Sequence, residues 1–229
     1  MGANATTFVP AYVSGEVLTA ADLSVTNSGI PVFADSTARD AAFGGTGEKV
    51  LAEGQFAYLE STNVTQYYDG AAWVALGGKV AQVLSTAKLD TFSLTSTVTT
   101  PTDVTGLSVA ITPSSASNKV LVIANCSIGQ SSGSFGFARL AGGNAATYIG
   151  NAAGSRIRAA QGVLTASAST MSIQMVYLDS PATTSATTYK VQIYCTSGGN
   201  IHVNRSHDDT DNDAFVRDTS SITVMEIVA

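Results

Sequence analysis

The sequence predicts an all-β protein, and three observations carry that prediction. Charged residues make up 12 % of the 229-residue chain against 45 % hydrophobic, with 21 glycines and long Ser/Thr/Ala tracts, so the surface is mostly neutral and hydroxylated. Lysine and glutamate, which normally populate the exposed faces of helices, occur five times each, which disfavours an all-helical or doubly wound fold. Apolar residues recur at period two in short runs broken by turn residues, about nine or ten strands in roughly 150 residues, a density that favours a β-sandwich or jelly roll.

Residues 1–30 hold no sustained period. Within them SGEVLTAADLS has the spacing of two helical turns, with Ser14 as N-cap and Val17, Leu18 and Ala21 on one face. An apolar-tipped leader ahead of a compact module reads as an anchor to a partner or to sister chains, with Val17, Leu18 and Leu23 as its contacts.

Residues 31–78 read as a small β module. DSTARDAAF offers Asp35 or Ser36 as the cap of one or two helical turns, and GGTG ends them. EGQFAYLES, VTQYYDG and AAWVALGG then predict a meander of three short strands. Asp69-Gly70 is a hairpin signal, because both central positions of a type I′ turn need positive φ. The aromatics Phe56, Tyr58, Tyr67, Tyr68 and Trp73 concentrate here. They serve either as the core of a domain with little else to bury or as a sugar platform, with Trp73, Tyr67 and Tyr68 as the contacts.

Residues 79–229 are predicted to form a jelly-roll knob. KVLVIANCSI places Val120, Val122, Ala124, Cys126 and Ile128 on one face and Leu121 and Ile123 on the other. Met171, Ile173, Met175 and Tyr177 share a face, as do Tyr189, Val191, Ile193 and Cys195. The last run, SSITVMEIVA, sets Ile222, Val224 and Val228 against Met225 and Ile227. Weaker runs lie at 91–98, 104–112, 134–140, 156–165 and 200–205. A monomeric sandwich shows clean alternation, with one face of each sheet wet. Strands apolar on both faces therefore point to burial against sister copies.

Charge and motifs exclude several chemistries. A net charge of −6 argues against a nucleic-acid partner, since phosphate contacts need clustered Lys and Arg. Arg156 and Arg158 in GSRIRAA are the nearest approach to a basic patch, an anion site or a solvated edge. The first twenty residues contain no Lys or Arg and no apolar signal-peptide core, and VLVIA at 120–124 is too short to span a bilayer. A soluble chain folding in a cytoplasm, without membrane insertion, is expected. Cys126 and Cys195 are too few for a disulfide framework and sit in apolar runs as buried thiols, although a bridge between adjacent strands stays open.

GQSSG at 129–133 matches the hydrolase pattern with Ser131 as nucleophile, followed in order by Asp179 and by His202 or His207. SFGFARLAGG after it has no helical period, so the strand-to-helix elbow is missing and no enzyme is expected. SHDDTDND at 206–213 gives Asp209, Asp211 and Asp213 the alternate spacing of a calcium loop. Ala214 and Ser220 occupy the places where an EF-hand needs Gly and Glu, which leaves a looser calcium loop or a solvated turn. His202 and His207 read as polar surface or as metal ligands on a symmetry axis. No P-loop, dinucleotide fingerprint, CxxC or HExxH occurs, and no cofactor is expected.

The segments GEVLTAADLSVTNSG, TARDAAF with EGQFAYLESTNVTQYYDGAAWVAL, DVTGLSVAITPSSASNKVLV, VYLDSPATTSATTYKVQIY, HVNRS and SSITVMEI resemble structural proteins of tailed bacteriophages, notably fibre and knob proteins of marine and cyanobacterial phages. The resemblance covers most of the chain and carries no active site. It implies a virion component and a homotrimer, whose knob is a jelly roll similar to tumour-necrosis-factor-like and complement heads. It assigns residues 1–30 to anchoring on capsid or tail, 31–78 to a small β module and 79–229 to the knob that faces a host surface glycan or protein. A capsid decoration protein clamping the shell and a carbohydrate-binding module are the alternatives.

Overall fold

The structure is a computed structural model and describes residue 17 and residues 29–44, 49–95, 97–197 and 199–229. The chain divides into two compact units, Met1–Gly78 and Lys79–Ala229. The predicted leader helix with Leu18 and Leu23 lies outside the described residues; Val17 is exposed. The protein is all-β, with one short α-helix and one 3₁₀ turn among the described residues.

In the first unit, β1 (Val32–Phe33), β2 (Phe56–Leu59), β3 (Val64–Tyr68) and β4 (Trp73–Ala75) form one sheet in that order. The meander is as expected, and β1 adds in parallel to β2, a pairing two residues long that leaves no sequence period. Helix α1 (Ser36–Asp40) starts where Asp35, in extended backbone, accepts a hydrogen bond from the Ala38 amide at 2.9 Å, relieving one of the unpaired first-turn donors. The Asp69-Gly70 turn differs from expectation. Tyr68 pairs with Trp73, so the connection has four residues, and Asp69 Oδ1 accepts from the amides of Ala71 and Ala72 at 2.9 and 2.8 Å. Only Gly70, at φ +96°, needs the left-handed region.

The second unit is a two-layer β-sandwich. One sheet orders β10 (Gln161–Val163), β9 (Gly136–Ala141), β12 (Thr187–Cys195) and β7 (Val98–Ile111). The other contains β5 (Val80–Lys88), β14 (Ser220–Ile227), β8 (Lys119–Gln130), β13 (Ile201–Val203) and β6 (Phe92–Leu94), with β11 (Thr170–Asp179) on the other side of β8. Consecutive strands from β6 to β9 and from β10 to β13 switch sheets at each step, the wrapping of a jelly roll. Alternate residues Val120 to Ile128 of β8, Ile173 and Met175 of β11, Tyr189 to Cys195 of β12 and Ile222 and Val224 of β14 meet in one fully buried core. These are the inward sets that the alternation assigned, except that Met171 is exposed and Val228 lies outside the core.

Three expected runs changed, and one strand was not expected. Residues 156–165 are mostly loop, with a strand only at β10. β5 was not anticipated, because KVAQVLSTAK alternates small, polar and apolar residues on both faces. β7 runs unbroken through Pro101 and crosses two register shifts against β12, so the separate runs at 91–98 and 104–112 end as the short β6 and one long strand.

Candidate functional site

The six-stranded sheet carries apolar side chains on the face that points away from the core. Pairing aligns them across four strands. Val83 on β5 stands opposite Met225 on β14, Met225 opposite Leu121 on β8, and Leu121 opposite Leu178 on β11. The next outward row runs through Thr223, Ile123 and Val176, and on the other side Ile227 faces Val80. Val83 is 53 % exposed, Leu178 47 % and Val176 45 %, while Leu121, Ile123, Met225 and Ile227 between them are half-buried. At the usual strand spacing the patch is about 15 Å across. It stops along the strands at Asn125, Gln174 and Ser221, so the apolar area occupies one end of the sheet only. A contiguous patch of this kind, rimmed by polar residues, marks an interaction surface.

The three aromatics expected to contact a glycan are not brought together. Tyr68 and Trp73 are paired on the face of the small sheet that packs on α1, where Phe43 tilts against Trp73 at 5.8 Å and the Arg39 guanidinium lies 4.8 Å over its ring. Tyr67 points to the opposite face beside Phe56. Period two separates neighbours in a strand, so no platform of Trp73, Tyr67 and Tyr68 exists. Trp73 instead joins Phe33, Ala57 and Leu59 in the module's core.

The hydrolase constellation is taken apart by register. Ser131 follows β8 in a turn that leads into β9, with Ser134 Oγ at 2.5 Å, and no helix follows. Asp179 pairs with Val120 at the far end of β8, about 30 Å away along the strand. It is buried, and its Oδ2 accepts from the Tyr189 hydroxyl at 2.6 Å and the Asn144 amide at 3.1 Å.

His202 is the larger departure from the sequence reading, being buried in β13 where polar surface was expected. Its Nδ1 lies 2.9 Å from Arg205 Nη2 and 2.9 Å from Ser93 Oγ, and its Nε2 lies 3.0 Å from His207 Nδ1, with the two rings stacked. Arginine only donates, so Nδ1 of His202 is the acceptor, Nε2 carries the proton, and His207 accepts it. Burial, then the positive charge of Arg205 and the electrostatic influence of the neighbouring His207, lower His202 to about 4.

Asp209 closes the same network through Arg217 at 2.5 Å and Arg205 at 3.4 Å, and its hydrogen bond with Arg217 holds the carboxyl low. The loop therefore spends Asp209 on guanidinium groups, while Asp211 and Asp213 are exposed. Among the described residues no group of three or more His, Cys, Asp or Glu could hold a metal ion. Arg156 and Arg158 sit on a loop instead of one strand face, bonded to the carbonyls of Ala153 and Gly150. Cys126 and Cys195 are buried in opposite sheets and not bridged by a disulfide, and burial pushes the Cys126 thiol up to about 12.

Two polar locks escaped the sequence reading. Glu226 is buried on the inner face of β14. Its Oε1 accepts from the Ser114 amide, Ser114 Oγ and Asn118 Nδ2 at 2.6 to 2.7 Å, and its Oε2 accepts from Gln82 Nε2 at 2.6 Å. Desolvation pushes this carboxyl up, and the bonds from Asn118, Gln82 and Ser114 outweigh it, holding it at about 2. Asn204, buried at φ +63°, donates to the carbonyls of Lys88 and Asp90 and accepts from Ser220 Oγ at 2.6 Å, tying the end of β5 to β13 and β14. Asparagine tolerates that backbone and supplies both hydrogen-bonding roles. Neither lock has a local motif, since Asn118 lies 108 residues from Glu226 and Lys88 lies 116 from Asn204.

No protein-family model and no curated protein matches the chain. Chains in two solved structures of infectious bursal disease virus are similar to it. For the Gx strain, identity is 12 % over 72 % of this chain and 43 % of that chain, with a TM-score of 0.37. For the Gt strain, identity is 14 % over 72 % and 44 %, with a TM-score of 0.35. The chain thus spans less than half the length of the chains it matches. No described helix is long and apolar enough to cross a membrane.

Proposed function

We propose that this chain is a non-enzymatic structural protein of a virus particle, a homotrimeric fibre or spike of a tailed bacteriophage displayed on the particle surface and contacting the host. The observation that carries the reading is the apolar row Val83, Met225, Leu121 and Leu178 on the outer face of the six-stranded sheet. Water against such a row is unfavourable by about 25 cal/mol per Å² of apolar surface, and sister copies remove it from water without any further partner. The nucleophile, acid and base candidates of the hydrolase pattern are dispersed or already bonded within the fold, which weighs against that pattern. The resemblance of the sequence to phage fibre and knob proteins supplies the particle and the threefold symmetry. Three copies in one spike would make a weak host contact avid.

The test is the native mass of the purified chain against its denatured mass. A trimer that Met225→Glu converts to smaller species is expected. A wild-type chain that sediments as one copy at all concentrations would overturn the reading.

A further inference from the structure

The edges of the sandwich are unequal. β6 and β10 are three residues long, β7 carries Pro101 and two register shifts against β12, and β5 pairs with β14 through a register shift at Glu226–Ile227 and lies against β7, which closes that side of the sandwich. Short length, proline and bulges are the devices by which exposed edges avoid pairing. β11 has none of them. Its ten residues pair with β8 in unbroken register from Thr170–Gly129 to Asp179–Val120, it contains no proline, and its first charge is Asp179 at the very end. Among the described residues β8 is the one strand it pairs with, so the other edge presents a row of backbone donors and acceptors.

That edge borders the open side of the sandwich, and its two ends differ. At the Met171 end lies an apolar groove of about 290 Å³ lined by Phe135, Phe137, Val163 and Leu164, without a charged residue. At the other end Tyr177 stacks on the partly exposed Tyr148 with ring centroids 5.2 Å apart. The uncharged run Thr170–Leu178 has Gln174 at its midpoint, exposed and pointing outward.

We infer that β11 is a two-fold docking edge, on which β11 of a second copy pairs antiparallel about Gln174 and joins the two six-stranded sheets into one. An unpaired edge selects an extended strand, and an uncharged edge selects an uncharged one. A register centred on Gln174 pairs even residues with even residues, so outward side chains stay outward. It sets Ser172 opposite Val176 and Met171 opposite Tyr177 of the second copy. The aromatic end of each edge thereby meets the groove end of the other, where a thioether against a ring is a favourable contact. This contact is separate from the outer face proposed above, and it would link trimers to one another.

Charge reversal at Gln174 in the full chain tests it. Gln174→Lys and Gln174→Glu alone each set like charges opposite across the two-fold axis and weaken this association by on the order of a hundredfold in sedimentation across a concentration series. An equimolar mixture of the two variants restores it by pairing unlike charges. Unchanged association in either variant, or no restoration in the mixture, overturns the inference. Met225→Glu separates the two contacts: a wild-type trimer that is indifferent to Gln174 but broken by Met225→Glu leaves the outer face standing and removes the edge. A dimer lost on charge reversal but insensitive to Met225→Glu does the opposite.

Discussion

The outer faces of the two sheets differ, one knit by polar contacts and the other left apolar. On the four-stranded sheet the outward residues of β12 and its neighbours are knit by polar contacts: Lys190 to Asp103 at 2.5 Å, Gln192 to Asp103 at 2.6 Å, and Arg139 to Gln192 at 2.8 Å. Outward aromatic Tyr194 is covered by its own chain, stacked on Phe137 and bonded to the Arg158 carbonyl. On the six-stranded sheet the equivalent positions are Val83, Met225, Leu121 and Leu178, with Val83 and Leu178 exposed and the two between them half-buried. Both sheets bury the same kind of inner face. The outer side chains alone distinguish a sheet suited to water from the one on which the proposed copies would pack.

The largest effect expected from breaking this contrast is Met225→Glu. A carboxylate in the middle of the apolar row should abolish assembly while thermal unfolding of the single copy shifts little, because Met225 points away from the core. Light scattering and a melting curve on the same sample check both halves.

One residue along, on the inner face, Glu226→Gln should do the reverse, costing about 2 kcal/mol of folding stability, since an amide cannot accept all the bonds that Ser114, Asn118 and Gln82 donate. The wild-type carboxyl sits below its ordinary value, so its contribution is complete above about 4.5 and drains away as pH falls toward about 2. Urea midpoints across that window should fall for the wild type and flatten for the variant.

His202 gives a second, milder acid dependence. Its folded value of about 4 is below the ordinary 6.5, so its stabilisation is present above 6.5 and lost as pH drops through 4. Chemical shifts of the two imidazoles should show His202 neutral at pH 6; a half-protonated His202 there would contradict the buried geometry. The smallest effect belongs to the polar face. Lys190→Ala should cost under about 1 kcal/mol and leave the mass unchanged, because the pair with Asp103 is half solvated.

Inner faces were legible because burial imposes period two on each strand by itself. Val120 to Ile128 and Tyr189 to Cys195 declare their inward side without any partner. The excess of apolar residues on the other side, Leu121, Ile123, Met225 and Ile227, was legible for the same reason. That these belong to one patch was not, because β5 supplies Val83 from a run with no clean period and because register between strands about 100 residues apart is absent from local sequence. His202 was misread, and Trp73 was left between a core and a glycan reading, from the same cause. One has its polar partners on other strands and the next loop, and the other is divided from Tyr67 by the alternation of a strand whose partners fix which side is covered.

Composition and periodicity alone determined that this chain is a β protein with neutral surfaces, an inner face on the long strands other than β5 and a surplus of apolar residues outside, since those properties follow from each side chain's preference for water or core. Which surplus residues touch, which carboxylates are bonded away, and which edge is left open were decided by the pairing of β8 with β11, β13 and β14. Backbone hydrogen bonds are identical for every residue type, so only packing of the whole sandwich could choose among registers that the sequence leaves equivalent.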